Sequence, residues 1–208
     1  MFEDVISLKN LFTAWEEFRP GKRSTEDVQL FEHHLEDNLF RLHWELRNGV
    51  YKHGHYERFQ IFDPKHRIIH KAAVRDRVVH HAVYRMLAPI FERSFIHDSF
   101  SCQIGKGTHA AVDRLECFIR KASQNYTGPC WALKCDIRKF FNSIDRTILA
   151  KLIEAKVSNP DVLSLLHDIT HSFVVVDNLI ERERERASWN PYWKSHIATI
   201  CECVYEPV

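Results

Sequence analysis

The sequence predicts a helix-rich α+β fold, and three patterns lead to that prediction. Apolar residues recur at helical spacing along most of the chain, and residues 55–62 alternate as in a half-buried strand. Residues 130–137 form a short apolar run that ends in an acid, as expected of a buried strand that delivers a carboxylate to a site. With 208 residues, 45% of them hydrophobic, the chain can bury one core or two small ones.

The composition argues against several classes of protein. The chain opens MFEDVISLKN, with acids before any apolar run, which is not the pattern of a signal peptide. No stretch approaches the roughly 20 apolar residues of a membrane span. The six cysteines include no CxxC pair, so we expect reduced thiols and no structural zinc. We therefore predict a cytoplasmic protein without membrane contact.

The first fifty residues are predicted to be helical. Residues 4–18 carry apolar side chains at a helical period, and a turn follows at Pro20. Ser24 followed by Asp27 predicts the start of a second helix, and the apolar period continues to Gly49.

A basic β-hairpin is predicted next. Residues 55–62 form its first strand, residues 63–65 its turn and residues 67–70 its second strand. Eight cations and three acids lie between residues 58 and 93: Arg58, Lys65, Arg67, Lys71, Arg75, Arg77, Arg85 and Arg93 against Asp63, Asp76 and Glu92. An anionic partner is one explanation of this excess, and a solvated charged face is the other.

The remaining elements follow from apolar periods and helix-start residues. Helices are predicted over residues 75–91, from a cap at Thr108, and from Asn159, which precedes a proline and an acid. We interpret Asp145 as a structural acid at a helix start. Asp76, between two arginines, is predicted to be an ion-pair partner and not a catalyst.

Asp136, at the end of the run CWALKCDI, is the strongest candidate for chemistry. Two-metal nucleotidyl transfer needs a carboxylate at such a strand end, because Mg²⁺ prefers hard oxygen ligands. The backbone carbonyl of Ile137 is a further candidate ligand. Phe141, five positions on, is a candidate to lie under the sugar and exclude a 2′-hydroxyl. The alternative is an aspartate that caps a helix beside two core phenylalanines.

The segment DIRKFFNSID resembles the first catalytic motif of bacterial reverse transcriptases. The upstream segments FQIFDPKHRII and RDRVVHHAV resemble the fingers of those enzymes. The second of these and the Gly-Lys-Gly segment at 105–107 look most like the enzymes of diversity-generating retroelements, while group II intron and retron enzymes share the plan. The resemblance covers about residues 24–173.

The resemblance implies reverse transcriptase fingers and a truncated palm. The implied regions are a helical N-terminal region (1–50), fingers (51–128), a partial palm with the first catalytic motif (129–173) and an aberrant tail (174–208).

The resemblance also implies ligands. Lys65 and Arg67 would meet the triphosphate of a dNTP, and Lys71 and Arg75 are weaker candidates for triphosphate or template phosphate. For each of these cations a surface ion pair is the alternative. The implied partners are an RNA template, a DNA or RNA primer, dNTP and an accessory protein, with two Mg²⁺ ions in a complete active site.

The chain lacks parts that the resemblance requires. It contains no Asp-Asp pair, no Gly/Pro-rich motif that ends in Ser-Gln, and no thumb, so one aspartate leaves the two-metal site incomplete. We therefore expect a palm core that is partly exposed.

The tail offers a reason for the missing parts. The run ERERER at 181–186 can be encoded by a GA repeat, and the residues after it, read one nucleotide later, can give VGTPIGNLTSQLFANVYMSP. We hypothesise that residues after about 180 are out of frame; a short protein with a divergent tail is the alternative. Sequencing the gene across the repeat tests this, and a shifted frame without a downstream Asp-Asp turn would end the hypothesis.

Three functions are consistent with the sequence. The first is a fragment of an RNA-directed DNA polymerase that uses two-metal nucleotidyl transfer in its complete form. The second is a nucleic-acid-binding remnant without chemistry. The third is a structural or regulatory partner that no longer binds nucleic acid.

Overall fold

A computed structural model describes residues 1–62, 66–101, 103–137, 140 and 144–172 of the chain. The fold is helix-rich α+β, as the sequence predicts. The elements in chain order are α1 (Phe2–Ile6), α2 (Leu8–Phe18), α3 (Glu26–His33), α4 (Leu35–Arg47), β1 (Glu57–Ile61), β2 (Arg67–Lys71), α5 (Val74–Glu92), α6 (Thr108–Ala122), α7 (Arg146–Glu154) and α8 (Pro160–Ser172).

Packing divides the chain into two compact units. The N-terminal unit contains Met1–Ile90 and the described residues from Asp145 onward, and the central unit contains the described residues of Phe91–Ile144. Division by packing does not test the four functional regions that the sequence implies, so those stay a prediction. The predicted turn at 63–65 and the tail at 174–208 lie outside the described residues.

The first predicted helix, residues 4–18, is confirmed, but Ser7 interrupts it. Ser7 has ψ of 142°, which ends α1, and its hydroxyl accepts a hydrogen bond of 3.2 Å from the backbone N–H of Asn10, which caps α2. The buried face of α2 includes Leu11, Trp15 and Phe18, so the helix contributes large side chains to the core.

The second predicted helix starts later and is not continuous. Ser24 lies in a turn, and α3 begins at Glu26 after Thr25, which makes no side-chain cap. His34, with φ of −122° and ψ of 42°, separates α3 from α4. The apolar period continues across the break, which explains why the sequence alone predicts one helix.

The predicted hairpin is confirmed. β1 and β2 are antiparallel, and the register pairs Glu57 with Lys71, Phe59 with Ile69 and Ile61 with Arg67. α5 follows directly and presents the buried residues Val78, Val79, Ala82 and Leu87.

A buried amide joins the N-terminal helices to α5. The Asn10 side-chain N–H group donates to the carbonyl oxygens of Val5 at 2.8 Å and Ala82 at 3.0 Å, and its oxygen accepts from Arg85 Nε at 3.0 Å. A buried amide satisfied on both sides fixes the orientation of these helices because an unpaired polar atom there would be costly.

Two predicted helix starts are confirmed, and one is displaced by a residue. Asn159 Oδ1 accepts from the backbone N–H of Val162 at 3.0 Å, and Asp145 accepts from two backbone N–H groups at the start of α7. For α6 the residue at the cap position is Gly107, and Thr108 is instead the first helical residue.

The predicted strand at residues 130–137 is wrong. These residues have no regular secondary structure, and Trp131 and Leu133 are 92% and 91% exposed. A strand needs a neighbour to take its backbone hydrogen bonds, and none of the described residues provides one. The expectation of a partly exposed palm core stays a prediction.

None of the helices in the described ranges is both long and apolar enough to cross a membrane.

Candidate nucleic-acid interface

The cations of the hairpin and of α5 meet acids from α3 and α4. Lys71 Nζ lies 2.8 Å from Asp27 Oδ2, and Arg77 Nη2 donates to the same oxygen at 2.6 Å. Burial by itself raises the pKa of Asp27, but the hydrogen bond from Lys71 and the two positive charges lower that pKa below its usual value. Asp27 is therefore ionised and holds β2 and α5 against α3.

Arg75 is paired in a similar way. Its Nη2 donates to Glu45 Oε2 at 2.5 Å, and its guanidinium lies 5.3 Å from the centre of the Tyr51 ring. Both weaker candidates for phosphate binding, Lys71 and Arg75, thus form ion pairs within the N-terminal unit. A phosphate would have to compete with Asp27 or Glu45 for them, and their role in nucleic-acid binding stays a prediction.

Asp76 is an ion-pair partner, as predicted, and it is also fully buried. Its carboxylate accepts from the Tyr51 hydroxyl at 2.8 Å and from the Gly54 backbone N–H at 3.0 Å. Burial, and after it the charge of Asp76, raise the pKa of the Tyr51 hydroxyl. A Cβ atom at Gly54 would lie 2.9 Å from Asp76 Oδ2, so glycine permits this close approach. Asp76, which belongs to α5, therefore holds the segment that leads into the hairpin against this helix.

Sequence reasoning missed a buried histidine pair beside Asp76. His53 Nε2 lies 3.1 Å from His80 Nε2, and the two rings stack with centres 5.1 Å apart. His53 Nδ1 lies 2.7 Å from the Gly54 carbonyl oxygen and must donate to it, so in the neutral ring His53 Nε2 is the acceptor of a hydrogen bond from the His80 Nε2–H group. The adjacent pair at 80–81 was visible in the sequence, but its partner 27 residues upstream was not.

The same cluster contacts the last described helix. The Tyr56 hydroxyl lies 3.4 Å from His53 Nε2 and 3.1 Å from the Ser172 hydroxyl oxygen of α8. Burial, followed by the charges of His53, His81 and Arg77, lowers the pKa of His80 to about 3, so this histidine is neutral at physiological pH.

A groove of about 500 Å³ opens beside these ion pairs in the N-terminal unit. Its lining mixes apolar and charged side chains: Leu30, Phe31, Leu42, Ala72, Ala73 and Val74 with Asp27, Asn38, Arg41, Glu45, His55, Glu57, Lys71 and Arg75. Lys71 and Arg75 face acids, whereas Arg41 forms no ion pair with any described residue. Arg41 is therefore a cation of the groove that an anion can reach without displacing an acid.

The catalytic candidate lies in the central unit. Asp136 is exposed in an irregular segment, and its Oδ1 accepts from the backbone N–H of Ile137 at 2.9 Å. Lys65 and Phe141 lie outside the described residues, and for Arg67 only the backbone, in β2, is described. Lys71 and Arg75 thus share one groove, and Asp136 and Ile137 are neighbours in the other unit.

The described residues do not form a Mg²⁺ site. No group of three or more His, Cys, Asp or Glu side chains in these ranges is placed to hold a metal ion. Asp136 and the carbonyl of Ile137 supply at most a few of the six oxygen ligands that Mg²⁺ requires. Further carboxylates would have to come from outside the described residues.

Comparison with known proteins gives a partial likeness. No known protein-family model matches the chain. A curated protein called nuclear intron maturase 1, mitochondrial, of Arabidopsis thaliana is 27% identical over 92 residues, which are 44% of this chain and 12% of that protein. Protein YkfC of Escherichia coli strain K12 is 23% identical over 120 residues, which are 54% of this chain and 31% of that protein.

The chain thus spans less than a third of the length of either curated relative. Intron maturases are related to reverse transcriptases, so the first likeness supports in part the resemblance that the motifs indicate. Neither relative bears on the diversity-generating type of retroelement.

Proposed function

We propose that this chain is part of a retroelement protein that is related to reverse transcriptases and binds RNA. The observation that supports this most directly is the basic hairpin followed by α5, at the position where the motifs resemble polymerase fingers. The similarity to an intron maturase also supports the proposal, because the name of that relative refers to an intron, which is an RNA. Arg41, which lines the groove and forms no ion pair with a described residue, offers a phosphate an accessible positive charge.

The finer proposal is RNA-directed DNA polymerase activity in the complete protein, with an RNA template, a DNA or RNA primer and dNTP. Asp136 would be a ligand of Mg²⁺ there, with the Ile137 carbonyl beside it. Lys65 and Arg67 would meet the triphosphate and Phe141 the sugar. Asp136 is exposed in an irregular segment, so a metal ion and its further ligands would have access to its carboxylate.

RNA binding is tested by filter binding of the full chain to an RNA template annealed to a primer. We expect affinity to fall about tenfold or more between about 50 mM and about 200 mM NaCl, because released counterions oppose binding. Absence of binding at the lower salt concentration would contradict the proposal.

Catalysis is tested by primer extension with Mg²⁺ and dNTP, with Asp136→Ala as the control variant. We expect no extension by this chain alone, because the described residues supply only one of the carboxylates that a two-metal site needs. Extension that disappears in the Asp136→Ala variant would show that the chain already contains a complete site.

A nucleic-acid-binding remnant without chemistry is the second candidate, and it is favoured because the described residues place no group of metal-holding side chains around Asp136. The two functions differ in one measurement. A remnant binds template and primer but gives no extension even when the gene is extended through the downstream reading frame, whereas a polymerase fragment gains activity.

A further inference from the structure

The outward face of α4 carries two large aromatic side chains that nothing described covers. Phe40 is 51% exposed and Trp44 is 59% exposed, although both belong to a helix whose opposite face is buried through Leu39, Leu42 and Leu46. Residues four apart on a helix are neighbours, so the two rings form one ridge. Neither ring stacks on another aromatic side chain in the described residues.

Two arginines flank this aromatic ridge. Helical geometry places Arg41 on one side of the ridge and Arg47 on the other, and both residues are exposed. Neither forms an ion pair with a described residue, and Asp37, one turn before Arg41, makes none with it. Glu45, the acid nearest in sequence to the ridge, is occupied by Arg75. The last two turns of the face therefore combine flat apolar rings with two arginines, and the acids Glu36 and Asp37 lie one turn earlier on the same face.

Arg41 lies between the ridge and the groove, although neither Phe40 nor Trp44 lines the groove. Arg41, adjacent in sequence to Phe40, also lines the groove that contains Lys71 and Arg75. A strand of nucleic acid that placed a phosphate against Arg41 could therefore contact both surfaces of the N-terminal unit.

The chemistry of this face matches single-stranded nucleic acid, because exposed aromatic rings and arginines lie side by side on it. Bases stack on aromatic rings, and arginines beside them pair with the phosphates between those bases. A duplex hides the faces of its bases, so the ridge suits unpaired nucleotides.

We propose that Phe40 and Trp44, flanked by Arg41 and Arg47, form a stacking platform for single-stranded RNA. The inference rests on the proposed RNA binding and adds the place where unpaired nucleotides are held. It is independent of Asp136 and of catalysis.

The test is fluorescence anisotropy of the full chain with a labelled oligouridylate and, separately, with a blunt RNA duplex of the same length. We expect Phe40→Ala and Trp44→Ala each to weaken binding of the single strand about tenfold or more, since stacking is lost. Trp44→Phe, which keeps a ring, should stay within about threefold of the unmodified chain. Arg41→Gln and Arg47→Gln should each lower the slope of log affinity against log salt by about 0.7.

Tyr126→Ala is the matched control, because Tyr126 is as exposed as Trp44 but lies in the central unit. Its affinity should be unchanged, and circular dichroism should show equal helicity for all variants. Unmodified chain that binds neither RNA contradicts the proposed function together with the platform. Binding that survives loss of both rings, or that falls equally for single strand and duplex, overturns the platform alone.

Discussion

The N-terminal unit and the described part of the central unit differ in how many of their large apolar side chains are buried. In the N-terminal unit Trp15 is 1% exposed, and its ring lies 5.8 Å from that of Phe18 and 5.2 Å from that of Phe31. In the central unit Trp131 is 92% exposed, and α6 buries none of its 15 residues. The described residues of the central unit that are buried are Phe91 and Ser123.

The difference shows that an apolar pattern is not sufficient for a core. The helix α6 has an apolar stripe through Val112, Leu115 and Phe118, and residues 130–137 are rich in apolar side chains, yet both are exposed. A stripe stabilises a fold only where another element covers it. In the N-terminal unit α1, α2 and α4 cover one another, and in the described part of the central unit no such partner lies over α6.

Two tryptophans give the largest expected contrast. Trp15→Ala should lower the free energy of unfolding by about 3–5 kcal/mol, because it removes a buried ring and leaves a cavity. Trp131→Ala should change it by less than about 0.5 kcal/mol, because the ring is already in water. Urea unfolding followed by far-UV circular dichroism measures both. Equal costs would show that residues 130–137 are covered in solution.

The pH dependence of stability should come from the N-terminal unit. The pKa of His80 in the folded chain, about 3, is below the ordinary value of 6.5, so the unfolded chain binds the proton first as pH falls. The contribution of His80 to the free energy of unfolding is therefore complete above pH 6.5 and decreases as pH falls towards 3. The free energy of unfolding should change by up to about 1.4 kcal/mol per pH unit in this range. Burial lowers the pKa of His81 to about 4 and acts in the same direction.

Urea unfolding at several pH values between 7.5 and 4.5 measures this slope. His80→Gln should reduce it, because one of the two buried histidines no longer titrates, and His81 should account for the slope that remains. His109→Gln, on the exposed α6, should leave it as in the unmodified chain. A slope that His80→Gln does not change would place the titrating group elsewhere.

Two aspartates give the smallest contrast. Asp145→Ala removes the hydrogen bonds that the backbone N–H groups of Thr147 at 2.8 Å and Ile148 at 3.3 Å donate to the cap of α7, and should cost about 1 kcal/mol. Asp136→Ala, in an exposed irregular segment, should cost less than about 0.5 kcal/mol. Thermal unfolding measures both, and a larger cost at Asp136 would indicate a structural role for that residue.

Much of the local structure could be predicted from the sequence. The hairpin, α5 and the starts of α7 and α8 follow from the alternation of side chains, the helical period of apolar residues and the capping residues. Each of these signals lies within a short stretch of sequence. The errors at Ser7 and His34 arose because an apolar period continues across a single residue that leaves helical geometry. The error at residues 130–137 arose because local pattern cannot show whether a neighbouring strand exists.

The candidate site, like the fold, could be predicted from the sequence only in part. The sequence identified Asp136 as a candidate ligand and Asp76 as an ion-pair partner, and the structure confirms the second. The pairing of Lys71 with Asp27 and of Arg75 with Glu45 spans 30 residues or more, so no local pattern could predict it.

By itself the sequence determined the fold class, the order of most elements and the resemblance of its motifs, because these depend on neighbouring residues. Tertiary structure alone decided which cations are neutralised, that His53 meets His80, and that Phe40 and Trp44 remain exposed beside Arg41. The physical reason is that burial and charge pairing depend on residues brought together from distant parts of the chain.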